Sequence, residues 1–271
     1  MLAQAAKFDW YQSTVQASDP QACGLVDALQ QAWELTDWVP AKNLNGYTYG
    51  GAIVRGETTL AHLCWGGNTG INVKTTSADS PVLAEALRGF YERTGVQHLP
   101  TRVDACCDWV EEGLFDSLSA HLIAYAIEHR LAINQQGDWE RGQARTLYIG
   151  SKDSPVRLVL YEKGYEQGGD APLGWVRLEV RIRPKKEHRF MVSTWGADMC
   201  FCAGWVPDAL KVLDWDGLQK RAVGTVWRRS DVDRSRAALL KQYGRLLAAW
   251  AEEEGGWPEL GEAIGKALQP A

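Results

Sequence analysis

The chain has 271 residues, and its 29 lysines and arginines against 34 aspartates and glutamates give a formal net charge of −5. Hydrophobic residues make up 45% and charged residues 23% of the sequence, which is typical of a soluble globular protein and excludes a disordered chain, a collagen-like fibre and a coiled coil. The acidic balance excludes a uniformly basic nucleic-acid coat. The 13 tryptophans are unusual, because such large aromatic side chains either fill a core or form flat contact surfaces.

The first residues lack the basic and apolar segments of a secretory signal. No stretch reaches the roughly 20 apolar residues that a membrane span needs. We therefore expect a cytoplasmic protein with no membrane segment.

Hydrophobic periodicity and turn residues predict the secondary structure in chain order. A helix is predicted over 20–38 and β-rich segments over 47–75. The elements that follow are a helix at 80–93, a strand at 101–110, a helix at 116–132, and strands at 146–151, 156–163 and 175–183 with a loop at 164–174. From about residue 207 the pattern is helical to the end. This order predicts an α+β fold with a central, mostly antiparallel sheet flanked by helices and a helical C-terminal extension. The predicted domains are residues 1–205 and 206–271, the second a candidate for DNA binding.

Three of the predicted strands carry one apolar and one charged face, because side chains alternate along a strand. The charged faces hold Arg102, Asp104, Cys106 and Asp108; Arg157, Val159, Tyr161 and Lys163; and Trp175, Arg177, Glu179, Arg181 and Arg183. If the strands share a sheet, the surface combines carboxylates suited to Mg²⁺ or Mn²⁺, arginines suited to phosphate and a nucleophilic hydroxyl. Those parts describe phosphoryl transfer through a phosphotyrosine. The same alternation occurs in any half-exposed antiparallel sheet with solvated charge pairs, so the pattern alone leaves both interpretations open.

Several motifs occur in a fixed order along this part of the chain. They are Arg102, Asp104 and Asp108 in TRVDACCDW, the YIGS step at 148–151, Tyr161 to Lys163, and Trp175, Arg177 and Glu179 in WVRLE. In this order, together with LCWGGNTGINV at 63–73, they resemble the replication initiation factor family, the rolling-circle Rep proteins of certain plasmids and filamentous phages. The matching motifs run from about 60 to 185.

The resemblance implies a metal-dependent enzyme that starts rolling-circle replication. A tyrosine attacks the scissile phosphodiester of the origin, forms a 5′-phosphotyrosine link and frees a 3′-OH, and the reverse reaction religates the strand. The matching nucleophile is Tyr161, and the matching metal ligands for Mg²⁺ or Mn²⁺ are Asp104, Glu179 and Asp108. The cations expected to position the DNA backbone are Arg102, Arg157, Lys163, Arg177 and Arg181.

The expected partners are origin DNA, both duplex and single-stranded, and a host helicase and polymerase in the cytoplasm of a bacterial host. The resemblance leaves a homodimer open. A His-hydrophobic-His motif, which other rolling-circle nickases use, is absent from the sequence. Tyr165 is a second candidate nucleophile that would share a face with Tyr161 in a helix, but Gly164 and the β-branched and aliphatic run before it argue against a helix. The side chain of Glu162 is expected to point away from the site face, as a surface partner.

Charge is unevenly distributed along the chain. Residues 141–190 contain 11 lysines and arginines against 6 acids, a local balance of +5, which places cations where phosphate chemistry is expected. A second basic cluster at 220–236 precedes an amphipathic helix at about 233–253, and it either grips duplex DNA or forms a solvated helix end. Two other functions stay open: a catalytically inactive Rep-like DNA-binding protein or repressor, and a carbohydrate-binding sheet that uses the tryptophans.

Overall fold

The computed structural model describes residues 6–213, 221–224 and 231–268. Its strands are β1 (Lys7–Val15), β2 (Asp37–Pro40), β3 (Tyr49–Arg55), β4 (Thr58–Trp65), β5 (Ile71–Thr76), β6 (His98–Val110), β7 (Ile133–Asp138), β8 (Gln143–Ile149), β9 (Val156–Glu162) and β10 (Trp175–Ile182). Its helices are α1 (Leu25–Trp33), α2 (Ser80–Thr94), α3 (Leu114–Glu128), α4 (Lys163–Gln167), α5 (His188–Ser193), α6 (Val206–Ala209), α7 (Asp231–Glu254) and α8 (Trp257–Ala267).

The strands form one sheet in the order β2-β3-β4-β5-β1-β6-β10-β9-β8-β7. Each pair of neighbours in that order is antiparallel. The predicted α+β fold with a mostly antiparallel central sheet is therefore confirmed. Parallel crossovers, which would need long connections, are absent among the described strands, since hairpins or short helical excursions join them.

The apolar face of the central strands packs on α2 and α3 to form the core. Leu158 and Leu160 of β9 and Leu178 of β10 are fully buried in one cluster with Leu118 and Leu122 of α3. Alternation therefore sends the charged side chains of the same strands to the opposite face of the sheet. The fold thus exposes one face of its central strands to whatever binds there.

Strand β1 lies at the centre of the sheet between β5 and β6, although the sequence pattern did not predict it. A bulge between Phe8 and Trp10 interrupts its pairing with β6. Phe8 and Tyr11 are buried, so the bulge places both Asp9 and Trp10 on the charged face. One extra residue thus breaks the strict alternation that sequence analysis relies on.

Two predicted boundaries differ from the structure. The helix predicted over 20–38 ends at Trp33, because Glu34 and Leu35 take positive φ values of 49° and 44° that no helix continues, and β2 begins at Asp37. The loop predicted at 164–174 begins with the short helix α4, and the preceding strand ends at Glu162. Strand β7 was also not predicted, because its INQQGD sequence has no apolar alternation.

The chain divides into two compact units, Met1–Thr225 and Val226–Ala271. Residues 206–213 belong to the first unit, where Val206, Ala209 and Leu210 are buried in the core. The boundary between the two units therefore lies after Thr225 and not at the predicted residue 205. The functional division into residues 1–205 and 206–271 stays a prediction.

The described part of the second unit consists of α7 and α8. Ala251 and Leu260 are buried, whereas the side chains of Leu239, Leu240, Tyr243 and Leu246 are exposed. Residues 220 and 225–230 of the predicted basic cluster at 220–236 lie outside the described residues. None of the described helices combines the length and apolar character that crossing a membrane takes.

The edge of the sheet depends on a glycine beneath a tryptophan. A Cβ atom on Gly51 of β3 would lie 2.1 Å from the nearest ring atom of Trp38 on β2. We expect Gly51→Ala to lower the free energy of unfolding by about 1–3 kcal/mol, because the ring must shift. Urea unfolding measures this change.

The matched control is Gly89→Ala in the interior of α2, where a Cβ would meet only the flexible end of Arg93, at 3.2 Å. We expect it to raise stability by about 0.5–1 kcal/mol, since alanine favours helix. Equal stabilities of the two variants would contradict the packing of Trp38 on Gly51.

Candidate active site

The register of three adjacent strands brings the predicted site residues together on one face of the sheet. Arg177 of β10 lies opposite Asp108 of β6 on one side and Tyr161 of β9 on the other. Tyr161 in turn lies opposite Thr146 of β8. The predicted nucleophile therefore stands one strand away from a buried arginine.

A second row lies four residues further along β10. Arg181 is opposite Asp104 of β6 and Arg157 of β9. Glu179 lies between the two rows and faces the same side. The convergence of charged faces that alternation predicted is therefore what the sheet register produces.

A cavity of about 530 Å³ opens on this face. Asp104, Glu179, Tyr161 and Tyr165 all contribute to its lining. A second cavity of about 490 Å³ is lined by Tyr161 together with Lys163, Arg177 and other residues. Tyr161 thus stands at the boundary between an acidic cavity and a more basic one.

Two of the acids that line the larger cavity, Asp104 and Glu179, are buried, and each is held by an arginine. Arg102 Nε donates to both Asp104 carboxylate oxygens, at 3.0 Å each. Arg181 Nε donates to Glu179 Oε1 at 2.6 Å and lies 3.6 Å from Asp104 Oδ2. Burial, reinforced by the negative charge of Asp104, raises the pKa of Glu179 to about 7. Burial and the charge of Asp104 thus outweigh the effect of Arg181 on the pKa of Glu179.

These two carboxylates fit a hard divalent cation. Mg²⁺ is commonly bound through one or two carboxylates, with water and substrate phosphate as the other ligands. A cation beside Asp104 and Glu179 would relieve the repulsion that raises the pKa of Glu179. Across residues 6–213, 221–224 and 231–268, no three His, Cys, Asp or Glu side chains gather as a complete metal cage. The protein's share of such a site is thus two acids.

Asp108 has a different set of contacts. Its Oδ1 accepts from Arg177 Nε at 2.6 Å, and its Oδ2 accepts from Arg177 Nη2 at 2.8 Å and lies 2.9 Å from Lys7 Nζ. Burial alone would raise the pKa of Asp108, but hydrogen bonds from Arg177 and Lys7 hold it below its ordinary value. Both oxygens of this predicted metal ligand are therefore already bound by cations.

Asp9 is a member of the site that the sequence pattern missed. Its Oδ1 accepts from Arg177 Nη1 at 2.9 Å, and it contributes to the lining of both cavities. Burial, opposed by the charge of Arg177, raises its pKa. No local signal identifies it, because it enters the face only through the bulge in β1.

Tyr161 is partly buried, and burial raises the pKa of its hydroxyl while the charge of Arg177 acts in the opposite direction. The Lys163 ammonium lies 5.6 Å from the centre of its ring. Its hydroxyl makes no hydrogen bond to any other residue that the structure describes. The group is neutral and free to contact a ligand.

The segment after Tyr161 turns into α4, which carries the second candidate tyrosine. Tyr165 lies within α4 and lines the same cavity as Tyr161, so the prediction that this segment is not helical is wrong. Glu162 is buried rather than at the surface, and its Oε1 accepts from Arg145 Nη2 at 2.9 Å.

The five predicted DNA-binding cations differ in their partners. Four hold carboxylates: Arg102 on Asp104, Arg177 on Asp108 and Asp9, Arg181 on Glu179, and Lys163 on Glu166 at 2.6 Å. Arg157 instead lies over the ring of Tyr148, 4.1 Å from its centre.

The contacts of Asp108 predict a stabilising role that can be measured. We expect Asp108→Asn to destabilise the protein by about 3 kcal/mol, because Arg177 would lose one carboxylate in a buried place and keep only Asp9. The lowered pKa of Asp108 means that its stabilisation is present above the unfolded value near pH 4 and is lost as pH falls.

Chemical denaturation from about pH 3 to 7 therefore should show a smaller acid dependence in Asp108→Asn than in wild type. The control is Asp138→Asn, whose partner Arg141 is exposed. Unchanged stability in Asp108→Asn would show that the Arg177 pair is not formed.

Comparison with known proteins gives one family match. No curated protein matches the chain. A rolling-circle replication initiator protein from Geobacillus stearothermophilus is 18% identical over 85% of this chain and 91% of that one, with a TM-score of 0.47. The Methanococcus jannaschii TBP is 14% identical over 70% and 94%, with a TM-score of 0.30. Residues 101–196, which include β6, β9 and β10, match the model of the replication initiation factor family and confirm the resemblance that the sequence motifs indicate.

Proposed function

We propose that this protein initiates rolling-circle replication by nicking and religating one strand of origin DNA. The observation that carries the proposal is one cavity, lined mostly by the segment that matches the family, which joins Tyr161 to the buried acids Asp104 and Glu179. Phosphotyrosine chemistry needs at least a nucleophilic hydroxyl and, beside it, two acids that suit a divalent cation.

In the proposed reaction the Tyr161 oxygen attacks the scissile phosphorus. The new bond joins the tyrosine oxygen to the 5′-phosphate, the bond to the 3′ oxygen breaks, and that oxygen leaves as a 3′-OH after taking up a proton. Religation runs the same steps in reverse, with the 3′-OH as nucleophile and the tyrosine as leaving group. No energy-rich cofactor is needed, since one phosphodiester replaces another.

Burial and neighbouring charged side chains control the ionisation of the Tyr161 hydroxyl. Its raised pKa keeps the hydroxyl protonated at neutral pH, so the proton has to leave during attack. Arg177 lowers the cost of the phenolate through its positive charge, which assists both attack and departure. Asp108 and Asp9 fix Arg177 in place from two sides.

Asp104 and Glu179 would hold Mg²⁺ or Mn²⁺, which when bound polarises the phosphate oxygens. Arg102 and Arg181 orient these acids and balance part of their charge. In this proposal the main role of Asp108 is to hold Arg177 in place, and metal binding is secondary. The proposed partners are origin DNA, a host helicase and polymerase, and a second copy of the chain in a homodimer. The proposed location is a bacterial cytoplasm.

A second candidate is a Rep-like DNA-binding protein or repressor that does not nick. The observation in its favour is that arginines neutralise both buried acids. Such a protein would need neither Tyr161 nor a metal, and the nicking experiment separates the two candidates.

We expect Tyr161→Phe to reduce nicking at least about a thousandfold, because the variant lacks the oxygen that forms the covalent bond. The measurement is conversion of supercoiled DNA carrying the replicon of this chain to open circles with Mg²⁺ or Mn²⁺, with the protein–DNA adduct followed by denaturing electrophoresis. Tyr91→Phe, on α2 and packed on Phe190, is the matched control and should nick like wild type.

Tyr165→Phe assigns the nucleophile, since this tyrosine reaches the same cavity. Loss of the adduct in Tyr165→Phe with retention in Tyr161→Phe would transfer the role to Tyr165. A wild type that fails to nick with every divalent metal tested would leave the non-nicking candidate standing.

The metal site predicts binding that is measurable without catalysis. We expect millimolar Mn²⁺ to raise the melting temperature of wild type, because a ligand that binds only the folded state stabilises it. The rise should vanish in Asp104→Asn and in Glu179→Gln and persist in Glu92→Gln, an exposed acid on α2. An undiminished rise in both site variants would place the metal elsewhere.

A further inference from the structure

Arg157 stands out among the cations of the charged face because no acid neutralises it. Among the described residues it has no ion pair, and its buried Nε atom has no hydrogen-bond partner. Its guanidinium rests on the ring of Tyr148, whose other neighbour is the guanidinium of Arg181, 5.8 Å from the ring centre. A partly buried cation with an unused donor is unfavourable until an anion binds it.

The surroundings of Arg157 are strongly positive. Four guanidiniums, those of Arg102, Arg157, Arg181 and Arg183, act on one another across β6, β9 and β10. The acids Asp104 and Glu179 offset them, but each already holds an arginine, and Asp153 acts on Arg183 as well. Burial, followed by the charge of Arg181, lowers the pKa of Arg157, as expected for an uncompensated cation.

Arg183 is the second uncommitted cation of this group. It directly follows β10, and its backbone N–H donates to the carbonyl oxygen of Pro155, just before β9, at 2.8 Å. Its Nη1 donates to the carbonyl oxygen of Lys152 at 3.0 Å, and no described carboxylate holds it. Arg157 and Arg183 thus have free donors on the same face, beside the same strand.

We propose that Arg157 and Arg183 bind one phosphate of single-stranded DNA, at a subsite separate from the phosphate that Tyr161 attacks. The subsite rests on the proposed function, and it concerns where the DNA strand runs rather than how it is cut. Arg157 is one of five cations that the sequence predicts to position the DNA backbone, and Arg183 is not among them. The structure separates the two uncommitted arginines from the four cations that hold acids.

The distance along β9 sets the separation of the two sites. Tyr161 and Arg157 are four residues apart on this strand, which corresponds to about 13 Å at about 3.3 Å per residue. Because of this separation along the strand, we assign the two side chains to different phosphates. A DNA strand that occupies both sites therefore runs along β9 and presents a flanking phosphate to Arg157 while the scissile one lies at Tyr161.

The aromatic neighbours favour a single strand over a duplex. Arg157 shares its place with Tyr148, and Arg102 lies 4.3 Å from the ring centre of Trp10 on the same face. Cations interleaved with aromatic rings are typical of surfaces that bind unpaired nucleotides, where rings contact bases and arginines contact phosphates.

The test is a salt titration of DNA binding without metal, so that no cutting occurs. A fluorescein-labelled oligothymidylate of about twelve nucleotides serves as the probe, and fluorescence anisotropy gives its Kd between about 50 and 200 mM salt. We expect Arg157→Gln to weaken binding about five- to tenfold and to reduce the slope of log Kd against log salt by about 0.7, the value of one lost phosphate contact on a single strand. Arg157→Gln with Arg183→Gln should reduce affinity further, and Arg157→Lys should retain the slope.

The matched control is Arg141→Gln, which removes the same charge from an exposed arginine paired with Asp138 at the β7–β8 turn. It should leave Kd within about twofold of wild type. The melting temperature of Arg157→Gln should agree with wild type, because Arg157 has no described ion pair to lose.

An unchanged salt slope in the double variant would overturn the proposal, as would an equal loss in Arg141→Gln. Unlabelled oligothymidylate should compete more strongly than millimolar inorganic phosphate or a duplex. Equally strong competition by phosphate or by the duplex would also overturn the proposal. Binding is measured without metal, so this test is independent of nicking. If wild type fails to nick but Arg157→Gln shows the slope change, the proposed reaction is wrong and the subsite still stands.

Discussion

The register of β6, β10 and β9 decides which charges meet on the open face of the sheet. Two residues along a strand return to the same face, so Arg177 and Arg181 are bound to lie in separate rows, with Glu179 between them. Each arginine then has one neighbour on either side, an acid on β6 and a side chain of β9. A shift of one residue in either pairing would send these charges into the core, where nothing could neutralise them. The site therefore exists only in this register.

Charge balance explains why so many polar groups can be buried here. Asp104, Asp108 and Glu179 are almost inaccessible to solvent, which is costly for carboxylates unless cations hold them. Around Asp108 the balance is complete, and its pKa is lowered. At Glu179, burial and the charge of Asp104 outweigh Arg181, and the pKa of Glu179 is raised. The first arrangement is suited to a rigid support, whereas the second retains affinity for a further positive charge.

Sequence reasoning predicted much of this arrangement because alternation along strands is a local property. The charged faces of 101–110 and 175–183, the helix at 80–93 and the antiparallel sheet all follow from periodicity. Pairing order is not local, so the sequence did not indicate that β1 would be inserted next to β6. The bulge that brings Asp9 to Arg177 depends on that pairing and had no signal of its own. The choice of partner for each arginine is likewise a tertiary fact, which is why Arg157 and Arg102 look alike in the sequence.

Helices α2 and α3 cover only one face of the central strands, and the candidate site lies on the other. This asymmetry has a topological consequence. A tunnel must be threaded from a free end, and a closed circular molecule has none. A strand that is laid sideways onto a sheet face needs no end, so an open face of this kind can receive and release covalently closed DNA without first breaking it.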